Sequence, residues 1–449
     1  MGKNPNVLLV CSNDGLVNLL RIPRILKQSG CNVTLLTTKG NPLTHSRFID
    51  LVLPKEQDVQ ALIISLKNHL NTNCYAWILV GDESPLFEII KYRGETWIES
   101  CLPVDAKSGA VDIITSKDGF VKACIERGLP FPGTRVCSGI EHALTISENI
   151  GYPVMLKTIR GSSGIGVRLA QNPEELLAAH KSVNSPVKFI LQKYVTGRVG
   201  VTEILMDHGE PLAWILSYKY QTVNGSLGPS CARQFMVHPS METIIRQIGE
   251  MTKFHGLCGF DWIHNDASDS IFVIEFHARP PSGFHLGEVC HVNFAAGIRN
   301  MLSGQKNIQR PTLPPSGKPK RAYMFPQHVS RCIKERDFVD LIHWFPGISA
   351  NCHYDILLND INLLMSMMGH SLINKLTKIY THITKRELCL FRHLPTFYGE
   401  RSGTSFYFGI TCIIGFRTIY SLQNSFRNSS HDYFSCKRFY QLRKKIYGK

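Results

Sequence analysis

Tyr152 to Leu169, YPVMLKTIRGSSGIGVRL, is the stretch on which the reading of the whole chain turns. A short apolar strand ends on Lys157, a Gly/Ser loop follows (Gly161, Ser162, Ser163, Gly164, Gly166), and a second strand starts at Val167. A hairpin of this composition can fold over a polyphosphate. Glycines let the backbone approach closely and turn successive N–H groups toward anionic oxygens, while Lys157 at the strand end adds a fixed positive charge. An ordinary glycine-rich hairpin carries the same pattern, so the stretch needs support from elsewhere in the chain.

That support lies downstream. Gly259 to Ile263 and Ile271 to Phe276 read as two strands joined by the polar turn Asn265 to Ser270. Antiparallel pairing places Asp261 and Glu275 at one end of the sheet, with His277 on the face of Glu275 and Arg279 continuing the alternation. Two carboxylates and a neutral donor suit Mg²⁺, which prefers oxygen ligands and shares its shell with phosphates. A surface hairpin with ordinary salt bridges is the competing reading. Against it, Glu275 sits inside the apolar run IFVIEF, where an unpaired charge is costly.

Upstream, NVLLVC (Asn6 to Cys11), NVTLLT (Asn32 to Thr37) and AWILV (Ala76 to Val80) read as buried strands. They alternate with helical stretches at Val17 to Gln28 and Val59 to Leu70, as in an open parallel sheet. No GxGxxG follows the first strand, so a dinucleotide site is not expected. Ser116 to Arg127 reads as a helix with Lys117 near its start. Glu174 to Lys181 is a further helix, and Phe189 to Val195 a strand. Val201 to Met206 and Pro211 to Tyr218 pair as strands. Lys219 to Gln234, rich in small residues, reads as a mobile loop facing a pocket. Met241 to Phe254, Phe338 to Trp344 and Ile356 to Met368 read as helices.

The 449 residues suffice for two or three domains. A hydrophobic fraction of 43% and a charged fraction of 19% suit a soluble globular protein, and no apolar run reaches the roughly 20 residues of a membrane helix. The first residues lack a secretory pattern. Fourteen cysteines are scattered without a CxxC pair, which argues against a zinc ribbon or disulfide framework and for reduced thiols in a cytoplasm. Most of the +15 net charge lies beyond Lys375, where aromatic and basic residues interleave (Phe434, Lys437, Arg438, Phe439, Tyr440). Such a tail can contact nucleic acid or an anionic membrane, although a solvated amphipathic helix face has the same pattern.

In this order, the lysine on a helix, the strand–lysine–glycine loop, the hinge strand followed by Gly197, and Asp261-x13-Glu275-x-His277-x-Arg279 resemble the ATP-grasp superfamily over roughly residues 105–305. The resemblance implies an α/β protein with a Rossmann-like N-terminal parallel sheet (1–104), an ATP-grasp domain of two α+β lobes (105–310) and a basic C-terminal extension (311–449). It implies that Lys117 and Lys157 contact nucleotide phosphates, and that Gly161 to Gly166 cover them. Gln192, Lys193, Tyr194 and Val195 match the adenine hinge. Asp261, Glu275 and His277 match the metal ligands, and Arg279 the arginine that follows them. The expected cofactors are ATP and Mg²⁺, with Mn²⁺ as its substitute, and a homodimer is compatible with the family.

The implied chemistry is ATP-dependent joining of a small-molecule carboxylate, amino acids included, to an amine or thiol through an acyl phosphate. Arg233, His285 and Arg299 are candidate carboxylate contacts. Three positions depart from the family. Gln192 and Val199 stand where glutamates are usual, and His277 stands where asparagine is usual. These departures support the alternative of a degenerate nucleotide-binding module without turnover, docking through its tail.

Overall fold

Near-continuous apolar runs form the first sheet: β1 (Asn6–Cys11), β2 (Asn32–Thr37), β3 (Leu51–Val52) and β4 (Trp77–Val80). All pair in parallel in the order β3-β2-β1-β4. Strands covered on both faces have no polar alternation to keep, which explains the runs. The computed structural model describes residues 4–14, 16–159, 166–223, 225, 228–313, 320–341, 344 and 352–369. The loop residues Gly161, Ser162, Ser163 and Gly164 and the basic tail lie outside these. The helix expected over Val17 to Gln28 is broken into Leu16–Leu19 and Ile22–Gln28. Pro23 causes the break, since it lacks an N–H and its ring collides with the carbonyl four residues back.

A second sheet contains β5 (Thr134–Cys137), β6 (Val154–Thr158), β7 (Val167–Ala170) and β8 (Phe189–Lys193), antiparallel in the order β5-β8-β6-β7. The expected hairpin is β6–β7, in register from Val154↔Ala170 to Lys157↔Val167. The Ile140–Ile150 and Pro173–Ser182 helices close one face over a core of Val154, Leu156, Leu176, Phe189 and Leu191. Gly166 ends the loop because a Cβ there would lie 1.9 Å from Thr158 Oγ1.

The third and largest sheet comprises β9 (Arg198–Asp207), β10 (Glu210–Thr222), β11 (Ser230–Met236), β12 (Gly256–Asn265), β13 (Ser270–His277), β14 (Arg321–Met324) and β15 (Cys352–Asp355). Its order is β13-β12-β9-β10-β11-β14-β15. Lys219 to Gln234 is therefore no single loop: β10 continues to Thr222, β11 resumes at Ser230, and Lys219 pairs opposite Arg233. Backbone groups beside a buried strand must be hydrogen-bonded, and the ladder supplies partners that a loop would not. The Met241–Thr252 helix packs on this sheet over Ile204, Trp214, Phe260 and Trp262. Of the later helices, Phe338–Leu341 and residues 361–369 are helical, the second starting five residues later than expected.

Beneath the sheet lies a buried ion pair. Glu203 is 0% exposed and Arg233 4%; Arg233 Nη1 donates to Glu203 Oε1 at 3.0 Å and to Ser217 Oγ at 3.1 Å. Burial raises the Glu203 carboxyl above the usual range, and Arg233 opposes that rise. Removing one member of such a pair leaves an uncompensated charge. Arg233→Met is expected to cost about 3–5 kcal/mol, read as a lower urea midpoint at constant slope, and Glu203→Leu in the same chain to recover most of it. A single variant within 1 kcal/mol of the parent, at that scale, would contradict this account.

Candidate active site

Lys157 lies near the end of β6, where the small sheet faces β13, and its side chain lines a cleft between them. Ile159, Ile190 and Gln192 contribute from the small sheet, Ile274, Glu275 and Phe276 from β13, and Ser116, Lys117 and Phe120 from the start of the Lys117–Glu126 helix. Ser116 caps that helix by accepting from Gly119 N–H, which fixes Lys117 at the first helical position beside the cleft. Phe120 stacks on Phe276 with ring centroids 5.7 Å apart, tying the helix to β13.

The two carboxylates are cross-strand partners: Asp261 pairs opposite Glu275. Lys219 Nζ donates to Asp261 Oδ2 at 2.5 Å, and His277 Nε2 lies 3.1 Å from Asp261 Oδ1. Lys117 Nζ reaches Glu275 Oε1 at 3.2 Å. Burial works to raise the Asp261 carboxyl, but Lys219 and His277 together hold it far below the usual range. Glu275 behaves alike: burial raises it, and Lys117, His277 and Lys157 bring it down. Lys157 is pushed down to about 8 by withdrawal from water, against the pull of Glu275 and with added repulsion from Lys117.

Asp261, Glu275 and His277 offer two hard oxygens and one imidazole, a donor set that fits a divalent cation shared with phosphate. Their side chains are engaged otherwise here, Glu275 with Lys117 and Asp261 with Lys219. Among the described residues, the groups of three donors lying within 4.8 Å of one another do not include this trio. Lysines that neutralise carboxylates in this way can be drawn onto phosphate oxygens when a polyphosphate enters, which frees the oxygens for a cation.

The hinge residues divide. Gln192 is buried and lines the cleft, with Nε2 donating to Thr134 Oγ1 at 3.0 Å. Lys193 turns away and donates to the carbonyls of Ile150 and Gly151, both at 3.0 Å, at the end of the Ile140–Ile150 helix. Tyr194 is exposed and its N–H bonds Pro153 O at 3.0 Å. Val195 is half-buried in the segment after β8. Gly197 then passes with φ of 152° so close to β12 that a Cβ would sit 2.2 Å from His264 O.

Arg279 lies beyond β13 and donates from Nε to Glu83 Oε1 at 3.1 Å, which brings the first sheet to the cleft. Next to it, Asp82 accepts from Ser12 N–H (2.7 Å) and Ser12 Oγ (3.0 Å), and burial pushes its carboxyl up to about 6. The candidate carboxylate contacts are otherwise occupied. Arg233 is buried on Glu203, His285 lies 2.8 Å from Asp355, and Arg299 bonds the carbonyls of Gln28 and Ser29. Lys219 is the site residue whose role the sequence hid. A small-residue composition suggested a loop, while the alternation through Ser217, Lys219 and Gln221 was the strand signal.

The state of Lys157 gives a pH prediction. Below about pH 8 its ammonium is already charged, so a polyphosphate binds without proton exchange; above that, binding must recharge it. ATP affinity is expected to fall by up to about tenfold per pH unit above 8, about 1.4 kcal/mol each. Calorimetry at pH 9 in buffers of different ionisation enthalpy should show proton uptake in the parent and none in Lys157→Arg. Uptake that persists in Lys157→Arg would move the titration elsewhere.

Residues 117–206 match the family model for the "Carbamoyl-phosphate synthase L chain, ATP binding domain". A curated relative, the "Carbamoyl phosphate synthase large chain, C-terminal section" of Methanopyrus kandleri, is 22% identical over 226 residues, covering 45% of this chain and 41% of the relative. The chain thus spans less than half the length of that relative. The ADP complex of N5-carboxyaminoimidazole ribonucleotide synthetase superposes with a TM-score of 0.56 at 15% identity, over 75% of this chain and 86% of that one. The biotin carboxylase domain of Hydrogenobacter thermophilus 2-oxoglutarate carboxylase, solved with MgADP, ADP and bicarbonate, gives 0.53 at 14% identity, over 70% and 72%. At these identities the structural likeness is one of fold.

Proposed function

We propose, from the premise that the chain belongs to the ATP-grasp superfamily, that it is an ATP-dependent ligase joining a small carboxylate to an amine. The observation that carries this reading is the convergence of Lys117, Lys157 and Lys219 on the paired carboxylates Asp261 and Glu275, with Lys117, Lys157 and Glu275 lining one cleft. In this reading residues 1–104 form the domain before the ATP-grasp region, residues 105–310 hold the nucleotide, and residues 311–449 form an extension.

The carboxylate oxygen attacks the γ-phosphorus of ATP, the bond to the bridging oxygen breaks, and ADP leaves with the electron pair. The amine nitrogen then attacks the acyl carbon, inorganic phosphate leaves, and the nitrogen sheds its proton. Phosphoryl transfer requires positioning and charge neutralisation more than a covalent protein group. Lys157 and Lys117 would bind the phosphate oxygens. Arg279, at the junction with the first sheet, would hold the γ-phosphate or the acceptor carboxylate. The loop from Gly161 to Gly166 would exclude water from the acyl phosphate. Gln192 would meet the adenine edge from the cleft wall. Mg²⁺, or Mn²⁺ in its place, held by Asp261, Glu275 and His277, would neutralise phosphate charge.

One observation favours a second reading, nucleotide binding without turnover: both oxygens of Asp261 are already engaged, by Lys219 and His277. Incubating the full chain with ATP, Mg²⁺ and a pool of amino acids and small carboxylates separates the two. Phosphate release that depends on an added substrate supports the ligase. Saturable ATP binding with no release under any substrate supports the second reading, and failure to bind ATP overturns both.

A further inference from the structure

Away from the nucleotide cleft, His238, His264 and Asp269 bring three donor atoms to one point. His238 lies between β11 and the Met241–Thr252 helix, His264 near the end of β12, and Asp269 in the turn before β13. His264 Nε2 is 2.8 Å and His238 Nε2 3.5 Å from the same oxygen, Asp269 Oδ1. Both imidazoles are 8% exposed, whereas Asp269 is 77% exposed and opens the point to solvent. His238 Nε2 is a buried nitrogen aimed into the cluster without a hydrogen bond.

We propose that these three residues form a binding site for a zinc-type divalent transition-metal ion, separate from the nucleotide's metal. Four ligands around Zn²⁺ at about 2.0–2.1 Å stand roughly 3.3 Å apart, and the two measured separations bracket that value. Both rings present Nε2 inward. Tyr218 Oη lies 2.6 Å from His264 Nδ1; Ser240 meets His238 Nδ1 with Oγ at 2.7 Å and with its N–H donating at 3.3 Å, so metal binding would move the ring proton of His238 to Nδ1, onto Ser240 Oγ. Metal-bound histidines use such partners to fix tautomer and ring orientation. Arg198 is kept off the point, pairing with Asp266 and covering the Tyr218 ring at 4.0 Å. Two imidazoles and one carboxylate, with a fourth position open to water, suit Zn²⁺ better than Mg²⁺.

Two other clusters are weaker candidates. His208 and His255 both present Nδ1 to one Asp207 oxygen, and His208 is 78% exposed. Asp340, beside His328 and Cys332, already carries Arg331. His264 shares the sheet face of Trp262, opposite Asp261, so the ion would staple the loop before the Met241–Thr252 helix to the β12–β13 turn without entering the cleft.

The test uses the untagged full chain, stripped with a chelator and titrated with Co²⁺ as a visible probe, then with Zn²⁺ in competition. One equivalent with intense d–d absorption is expected, together with a melting temperature raised by Zn²⁺. Asp269→Asn, at an exposed turn position that leaves folding intact, should weaken binding at least about tenfold, and His238→Gln more. His208→Ala should change nothing. No saturable equivalent, binding unchanged in Asp269→Asn, or loss confined to His208→Ala would overturn the assignment.

Discussion

Lys157→Met is expected to lower substrate-dependent phosphate release by about 10²–10³-fold, about 2.7–4 kcal/mol of transition-state stabilisation, on the scale of removing one preorganised donor to developing negative charge. Lys157 lies in the first strand of the glycine hairpin, held away from bulk water among Glu275, Lys117 and Asp261. In such a place one positive charge counts for more than at a surface, because the low local dielectric strengthens its pull on phosphate oxygens. Metal-free ATP binding should weaken as well, since the charge acts on the ground state too. Misfolding would not be the cause. Desolvation already disfavours the ammonium, so an apolar side chain of similar length removes a cost, and the melting temperature should stay level or rise. A loss below threefold with intact folding would remove Lys157 from the chemistry.

Glu275→Gln should have an effect at least as large but of opposite character. Turnover is expected to fall about 10³-fold, because a neutral amide is a poor ligand for a hard cation and several kcal/mol of charge stabilisation go with it. Metal-free ATP binding, by contrast, should hold or tighten. Glu275 now lies 3.2 Å from Lys117, and the amide would weaken that ion pair while removing one negative charge from the cleft. The two variants therefore cross: one weakens nucleotide binding with and without metal, the other only with it. Isothermal titration with ATP, with and without Mg²⁺, reads the crossing directly. If Glu275→Gln weakens metal-free binding, the carboxylate is a structural partner of Lys117 and the metal assignment falls. Because both residues face one pocket, the double variant should lose less than the product of the single losses.

The glycine hairpin, the three parallel strands of the first sheet, the helix bearing Lys117 and the pairing of Asp261 with Glu275 were legible in the chain. Each has a local signal: continuous apolar runs for the covered sheet, a capping serine before Lys117, and a short polar turn that folds β12 and β13 antiparallel, after which a one-residue register shift between Trp262 and Asp261 sets Glu275 opposite Asp261. Lys219 was hidden because Ser, Gly and Pro between Val223 and Ser230 made a hairpin look like a loop. Lys193 and Arg299 carry charges that sequence reading assigned to ligands, and both are instead taken by backbone carbonyls at helix ends.

The sequence alone determined which residues could carry the chemistry and the order in which strands and helices present them, because strand alternation and helix caps depend on neighbours a few positions away. Only the tertiary structure decided the partners: Lys219 on Asp261, Lys117 on Glu275, Arg233 withdrawn onto Glu203, and two distant histidines aimed at the Asp269 turn. Side-chain pairing between remote strands is set by sheet order, and sheet order is an outcome of packing the whole chain that no local period encodes.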